Sequence, residues 1–301
     1  MAKQQPLSLI EFQDKFNSEE ACQKHLFKMK WPQGFKCPKC GHDQYYFIET
    51  RHLFQCKECR YQASLTANTV MHRTRTPLRI WFWMIYLLSR DKRGKSTLSI
   101  SKELRIHYPK AWAMTQKIRS AMSTRDAYYK LAGLVEMDES YFGGPTKGQK
   151  RGRGSGKSKV LIEVSLKRDG KPKYAKMQVV NRLNQETVQA KLQEYVAQGS
   201  TIQTDNFRIY ARVYQNDYSH KGLFSKNLQA TDLLKWVHVI TSNAKSFING
   251  TYHGLDDKHL QAYLDEFCFR FNRRFWEPQL FNRLLNTCLG SKSLTYAELM
   301  K

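Results

Sequence analysis

The residues best suited to do chemistry lie in Leu134-Val135-Glu136-Met137-Asp138-Glu139-Ser140-Tyr141-Phe142-Gly143-Gly144. The stretch alternates apolar and polar residues, carries β-branched and aromatic side chains and stops at a Gly-Gly pair. That is the pattern of a strand running into a turn. On a strand Asp138 shares a face with Glu136 and Ser140, opposite Val135, Met137 and Tyr141. A carboxylate in mid-strand runs against β-propensity and needs a reason. A second carboxylate, Asp205, ends the short strand pattern Ser200-Thr201-Ile202-Gln203-Thr204. Two carboxylates at strand ends, in a strongly cationic chain, point to a metal site that works on phosphates. Each alone has a plainer reading, one as a turn former and the other as a helix N-cap.

The other chemical cluster is Cys37-Pro38-Lys39-Cys40-Gly41 followed by Cys56-Lys57-Glu58-Cys59. This C-x2-C-x15-C-x2-C spacing is the form of a structural zinc site with four thiolate ligands, one ion per chain. Tyr45 to Ile48 and His52 to Gln55 read as paired strands between the knuckles. A ribbon this small buries too little surface to fold alone, so the metal must stabilise it. The nearby His42 and His52 read as surface residues. The remaining cysteines, Cys22, Cys268 and Cys288, are isolated, so the usage argues for metal binding rather than disulfides.

The elements that must position these groups follow in order. Ser8 caps a helical pattern that runs to about residue 30 and packs on the ribbon. Residues 61 to 76 form a Thr/Arg-rich connector. Ile80 to Leu88 is too apolar for a surface helix and is expected to be buried. Ser96 to Leu104 and Pro109 to Met122 make two further helices, with Pro109 suited to a first helical position. Met114, Thr115, Ile118 and Met122 supply the inward stripe, while Lys110, Gln116, Lys117 and Arg119 are expected to face out. These three helices fit either a helix-turn-helix that reads DNA or an ordinary helical hairpin. After the Asp138 strand, residues 147 to 159 hold six Lys/Arg, including Lys150, Arg151, Arg153 and Lys157, and no acid. That loop reads as a solvated hairpin tip or a clamp on a DNA backbone. A β-hairpin (Val160 to Leu166, Tyr174 to Val180), a helix (Gln185 to Ala197) and the Asp205 strand come next. Two helices, Trp236 to Ile248 and Asp257 to Asn272, complete the pattern. His238 and Lys245 lie two turns apart on the first of these and project the same way.

The chain carries 50 Lys+Arg against 26 Asp+Glu, a net +24. Such an excess favours a nucleic-acid partner over most others. The start, Met1-Ala2-Lys3-Gln4-Gln5-Pro6, is not a signal peptide, and the most apolar run is far too short to span a bilayer. A membrane role therefore lacks support, and a cytoplasmic, nucleoid-associated protein is expected.

Together these residues resemble the bacterial insertion-sequence transposases that join an N-terminal zinc ribbon to a DDE-type, ISXO-like catalytic domain. The resemblance rests on the four cysteines, on Val135 through Gly144, and on Thr204-Asp205 with Tyr210. It also rests on Gly250-Thr251-Tyr252-His253-Gly254 and on the run from Lys258-His259-Leu260 to Arg270-Phe271-Asn272-Arg273-Arg274. It implies a multidomain α+β chain with a helical segment over 1–30, a zinc ribbon over 31–66, a helix-turn-helix-like DNA-binding domain over 67–128 and a ribonuclease-H-like domain over 129–301. The last is a mixed sheet flanked by helices, with carboxylates on its first and fourth strands. The implied activity is binding of the element's inverted ends in double-stranded DNA, metal-dependent cleavage there and joining of the 3′-hydroxyls to target DNA. Homodimers or higher assemblies on DNA are implied by analogy. Asp138 and Asp205 would hold two Mg2+ or Mn2+ ions. His238 falls where many relatives carry Glu, which implies an Asp-Asp-His set with Lys245 on a DNA phosphate. A packing role for His238 stays open, with Asp232 and Glu139 as reserves. A catalytically inactive or domesticated transposase acting as a DNA-binding regulator is the competing reading.

Overall fold

A computed structural model of the chain describes residues 5–144, 156–205, 207–211, 218–223, 233–253 and 255–300. The chain divides into two compact units, Met1–Met122 with Trp276–Lys301, and Ser123–Phe275.

In the first unit, α1 (Leu9–Lys15) and α2 (Glu19–Lys30) replace the single helical stretch expected from the sequence. Ser8 forms a capping box with Glu11, and Ser18 caps the second helix, so the break between them is chemically specified. The ribbon is the sheet β1 (Tyr45–Ile48), β2 (Leu53–Cys56) and β3 (Gln62–Ala63), paired antiparallel in that order. It has its own aromatic core, with Phe27 of α2 and Trp31 just after that helix against Phe35, Tyr45 and Phe54. The helices α3 (Leu78–Arg90), α4 (Thr97–Glu103) and α5 (Tyr108–Ala127) follow. No residue near the start of α3 caps it; instead both carboxylate oxygens of Glu19 accept from Leu78 and Arg79 N–H, at 2.7 and 3.0 Å.

The second unit is built on a five-stranded sheet. β4 (Leu134–Phe142), β5 (Ser158–Leu166) and β6 (Pro172–Val180) run antiparallel, and β7 (Thr201–Thr204) and β8 (Ser219–Gly222) add to β4 in parallel. The spatial order β6-β5-β4-β7-β8 is the ribonuclease-H-like arrangement. One face buries Val135, Met137, Leu161 and Ile202 with Val188 and Leu192 of α6 (Gln185–Tyr195). The other buries Val160, Ile162, Val164 and Met177 under α7 (Lys235–Thr251) and α8 (Leu260–Asn272). The outer edge of β6 is closed by side chains: Gln261 bonds Val179 N–H and Met177 C=O, and Asn272 bonds both backbone groups of Ala175. That removes an open edge for pairing.

The sequence reading ran the catalytic domain to residue 301. Residues from Trp276 on belong instead to the first unit, where α9 (Leu280–Leu289) brings Phe281 against Phe12, Phe16 and Phe82. A short α10 (Tyr296–Met300) follows. No described helix is long and apolar enough to cross a membrane.

Candidate metal centres

The four cysteines meet as their spacing requires. Each knuckle closes by a backbone bond to the residue after its second cysteine, Gly41 N–H to Cys37 C=O and Arg60 N–H to Cys56 C=O. Both of those residues take positive φ, 78° for Gly41 and 54° for Arg60. Glycine meets that demand without steric cost, whereas arginine does so against its Cβ. The Sγ atoms of Cys37 and Cys59 lie 3.6 Å apart, and those of Cys40 and Cys56 3.5 Å. A tetrahedral zinc with Zn–S of about 2.3 Å needs S···S of about 3.8 Å, so the thiols stand close to ligating geometry. Burial raises the Cys37 thiol, but backbone N–H groups at Cys40 and Lys39 and the Cys59 and Cys40 thiols hold it below its ordinary range. At Cys40 the backbone N–H of His42 is outweighed by the neighbouring thiols, which raise it. His42 and His52 are not part of this group.

The second centre is set by strand register. Glu136 of β4 pairs with Gln203 of β7 in parallel. Asp138 follows two residues further along β4, and Asp205 comes two residues after Gln203, just past the end of β7. Asp138 pairs with Ile162 across β5 and so faces α7. One oxygen of Asp138 accepts from Glu139 N–H at 2.8 Å, and one of Asp205 from Phe207 N–H at 3.0 Å. Both residues are half-buried. Hard carboxylate oxygens such as these suit Mg2+ or Mn2+.

α7 is anchored to this strand. Its N-cap, Leu234, offers no capping side chain; instead Glu136, 4% exposed, accepts from Trp236 and Val237 N–H, both at 2.9 Å. Burial raises the Glu136 carboxyl, partly offset by those two donors. The anchor sets the start of α7 and with it His238 and Lys245. They line one open cleft with Thr241, Ser242 and Ser140, the last on the face of β4 that carries Asp138. His238 is exposed. The Lys245 ammonium lies 5.4 Å from the Phe142 ring, and burial, then Lys157, lowers its pKa. Among the described residues the four cysteines are the only group of three or more ligating side chains whose donor atoms all lie within 4.8 Å. His238 therefore does not form such a set with Asp138 and Asp205.

Of the residues expected to face outward on α5, Lys110 is exposed and Lys117 half-buried, but Gln116 (5% exposed) and Arg119 (0%) are buried. The single inward stripe was too narrow. α5 is packed on several sides, so its polar positions 115, 116 and 119 join Ala111, Met114 and Ile118 in the interior. Gln116 and Arg119 thus present no surface to DNA. Lys157 lines a cavity with Lys245, Gly143 and Gly144. Lys150, Arg151, Arg153 and the reserve ligand Asp232 lie outside the described residues.

Sequence reasoning named Tyr210 without a role. It is fully buried on the short turn after Asp205 and donates its hydroxyl to Glu139 Oε2 at 2.8 Å. Burial, then Glu139, Asp138 and Asp205, hold that hydroxyl well above its ordinary pKa, so all three carboxylates lie within its electrostatic reach.

Residues 130–272 match the family model described as ISXO2-like transposase domain, and residues 17–62 match the transposase zinc-ribbon domain. No curated protein matches the chain. Among solved structures, it is similar to one described as a pre-cleavage Mos1 transpososome. That likeness has 11% identity and a TM-score of 0.26, covering 70% of this chain and 79% of the other. For the Mos1 strand transfer complex the values are 10%, 0.24, 71% and 78%. These scores are too low to establish a shared overall arrangement. The matched regions cover both candidate centres, and the chain carries a transposase zinc-ribbon domain and an ISXO2-like transposase domain.

Proposed function

We propose that the chain is a catalytically active DNA transposase that cuts the ends of its element and joins the freed 3′-hydroxyls to target DNA. The observation that supports this is the register of β4 and β7, whose last pair, Glu136 and Gln203, stands two residues before Asp138 and Asp205. Bound there, Mg2+ or Mn2+ would supply Lewis-acid stabilisation and an activated water or hydroxyl for phosphodiester exchange. Asp138 and Asp205 hold the ions. Lys245, in a cleft with His238 and Ser140 of β4, neutralises a DNA phosphate, and Lys157, which lines a cavity with Lys245, adds a second cation. His238 joins the ligand set if the first turn of α7 moves inward on DNA binding. Lys110 and the basic loop with Lys150, Arg151 and Arg153 hold the duplex backbone, and a homodimer pairs the two ends.

One observation favours the regulator reading: no third ligand is gathered with the two aspartates among the described residues. End cleavage separates the two. The purified protein is incubated with duplexes carrying the DNA that flanks its gene, with Mg2+ or Mn2+. An active transposase nicks at the element boundary, and Asp138→Asn or Asp205→Asn removes nicking while binding stays within a few-fold. Binding without nicking by the wild type in either metal supports the regulator.

A further inference from the structure

Tyr210 and Glu139 form a tie behind the two aspartates, on the opposite face of the sheet. Asp138 and Asp205 sit on separate chain segments, and near their level the described backbone pairing between β4 and β7 has ended, the last pair being Glu136 and Gln203. Beyond that pair the ladder no longer fixes the gap between the segments. Tyr210 follows Asp205 on the same short segment, in the turn Arg208–Tyr210, and its side chain reaches back to β4. There its hydroxyl donates to the carboxylate of Glu139, the neighbour of Asp138, at 2.8 Å. The ring is fully buried in the core cluster on the face of the sheet opposite α7, which also holds Met137, Ile202 and Ile209, so it cannot swing away without opening that core.

We infer that Tyr210 is a positioning residue that sets the Asp138–Asp205 separation through Glu139, and that Glu139 is the partner of this tie rather than a ligand of the ions. The inference rests on the proposed metal role of the two aspartates. Strand alternation supports the division of labour: Asp138 faces α7, and Glu139, paired with Leu161, faces the opposite side where Tyr210 lies. A hydrogen bond to a charged acceptor is among the stronger ones, and this one sits where the hydroxyl has little water to replace it.

The test is Mn2+ binding to the full-length, zinc-loaded protein without DNA, by electron paramagnetic resonance titration, alongside end binding and thermal melting. Tyr210→Phe keeps the ring and its packing but deletes the tie, and should weaken Mn2+ binding roughly tenfold with melting and end binding little changed. Glu139→Gln keeps an acceptor oxygen for the hydroxyl and should bind Mn2+ within about threefold of wild type. Asp138→Asn should lose binding altogether. Wild-type affinity in Tyr210→Phe overturns the inference. So does loss of Mn2+ in Glu139→Gln to the extent seen for Asp138→Asn, which would make Glu139 a ligand. If Asp138→Asn and Asp205→Asn both bind Mn2+ normally, the metal centre itself is misassigned, a failure distinct from that of the tie.

Discussion

Glu136 offers the sharpest test of how the sheet carries the cleft. Its Oε2 alone accepts from both Trp236 and Val237 N–H, and α7 has no other side-chain cap at that end. Glu136→Ala leaves both donors without an acceptor in a buried position, at about 1–3 kcal/mol each. Against this, the wild-type carboxylate is itself held above its ordinary range by burial, and removing it returns part of that cost. A net loss of about 2–4 kcal/mol follows, or roughly 5–15 °C in melting temperature for a unit of this size. Glu136→Gln still offers an oxygen to both donors and should lose about 1 kcal/mol at most. The sign of the pH dependence is also fixed. A carboxyl whose folded pKa is raised contributes stability below its unfolded pKa and loses it as pH climbs through the folded value. The comparison should therefore shift in favour of Glu136→Gln as pH rises through that range. Thermal melts of the three proteins across pH decide the matter. Glu136→Ala melting within about 2 °C of wild type, or Glu136→Gln falling as far as Glu136→Ala, would refute the capping role.

Three further outcomes are expected. Metal analysis should find about one zinc per chain, and Cys56→Ser should lose both that zinc and the cooperative melting of the ribbon; retention of both would contradict the site. Glu163 is fully buried, its carboxyl oxygens have no hydrogen-bond partner among the described residues, and burial, only partly offset by Lys176 and Lys191, raises its carboxyl to about 8. Stability should therefore decline from about pH 5 to pH 9, and Glu163→Gln should flatten that decline; an unchanged slope assigns it to other groups. Lys245→Ala should slow end cleavage and reduce the salt slope of end binding by about one phosphate contact, whereas His238→Ala should slow cleavage only if its imidazole moves onto a metal, so normal rates in both metals would leave it as a surface residue.

Much of this site was legible in the sequence because its determinants are local. The cysteine spacing, the alternation around Asp138 and the short strand ending at Asp205 each depend on neighbouring residues. The helical stripe of Leu260, Tyr263, Leu264 and Cys268 was equally readable and is core. What escaped depends on residues far apart. The glutamates that cap α3 and α7 lie 59 and 100 residues from the first N–H groups they accept, and neither helix start has a local capping side chain, although Pro77 marks where α3 begins. β8 is a short polar strand, Ser219–Gly222, defined by its neighbour β7 rather than by its own pattern. Burial of Gln116 and Arg119 escaped because periodicity assumes one buried face, and α5 has more than one. α9 was assigned to the wrong unit because contiguity in sequence stood in for the aromatic contacts of Phe281.

The central claim is that Asp138 and Asp205 together hold the ions that act on DNA. Crystals of the protein with an end duplex, soaked in Mn2+ and measured at the manganese edge, test it directly. Anomalous density between the two carboxylates, lost in Asp205→Asn crystals, is the result expected. Manganese density elsewhere on the DNA, with none between Asp138 and Asp205, would contradict it.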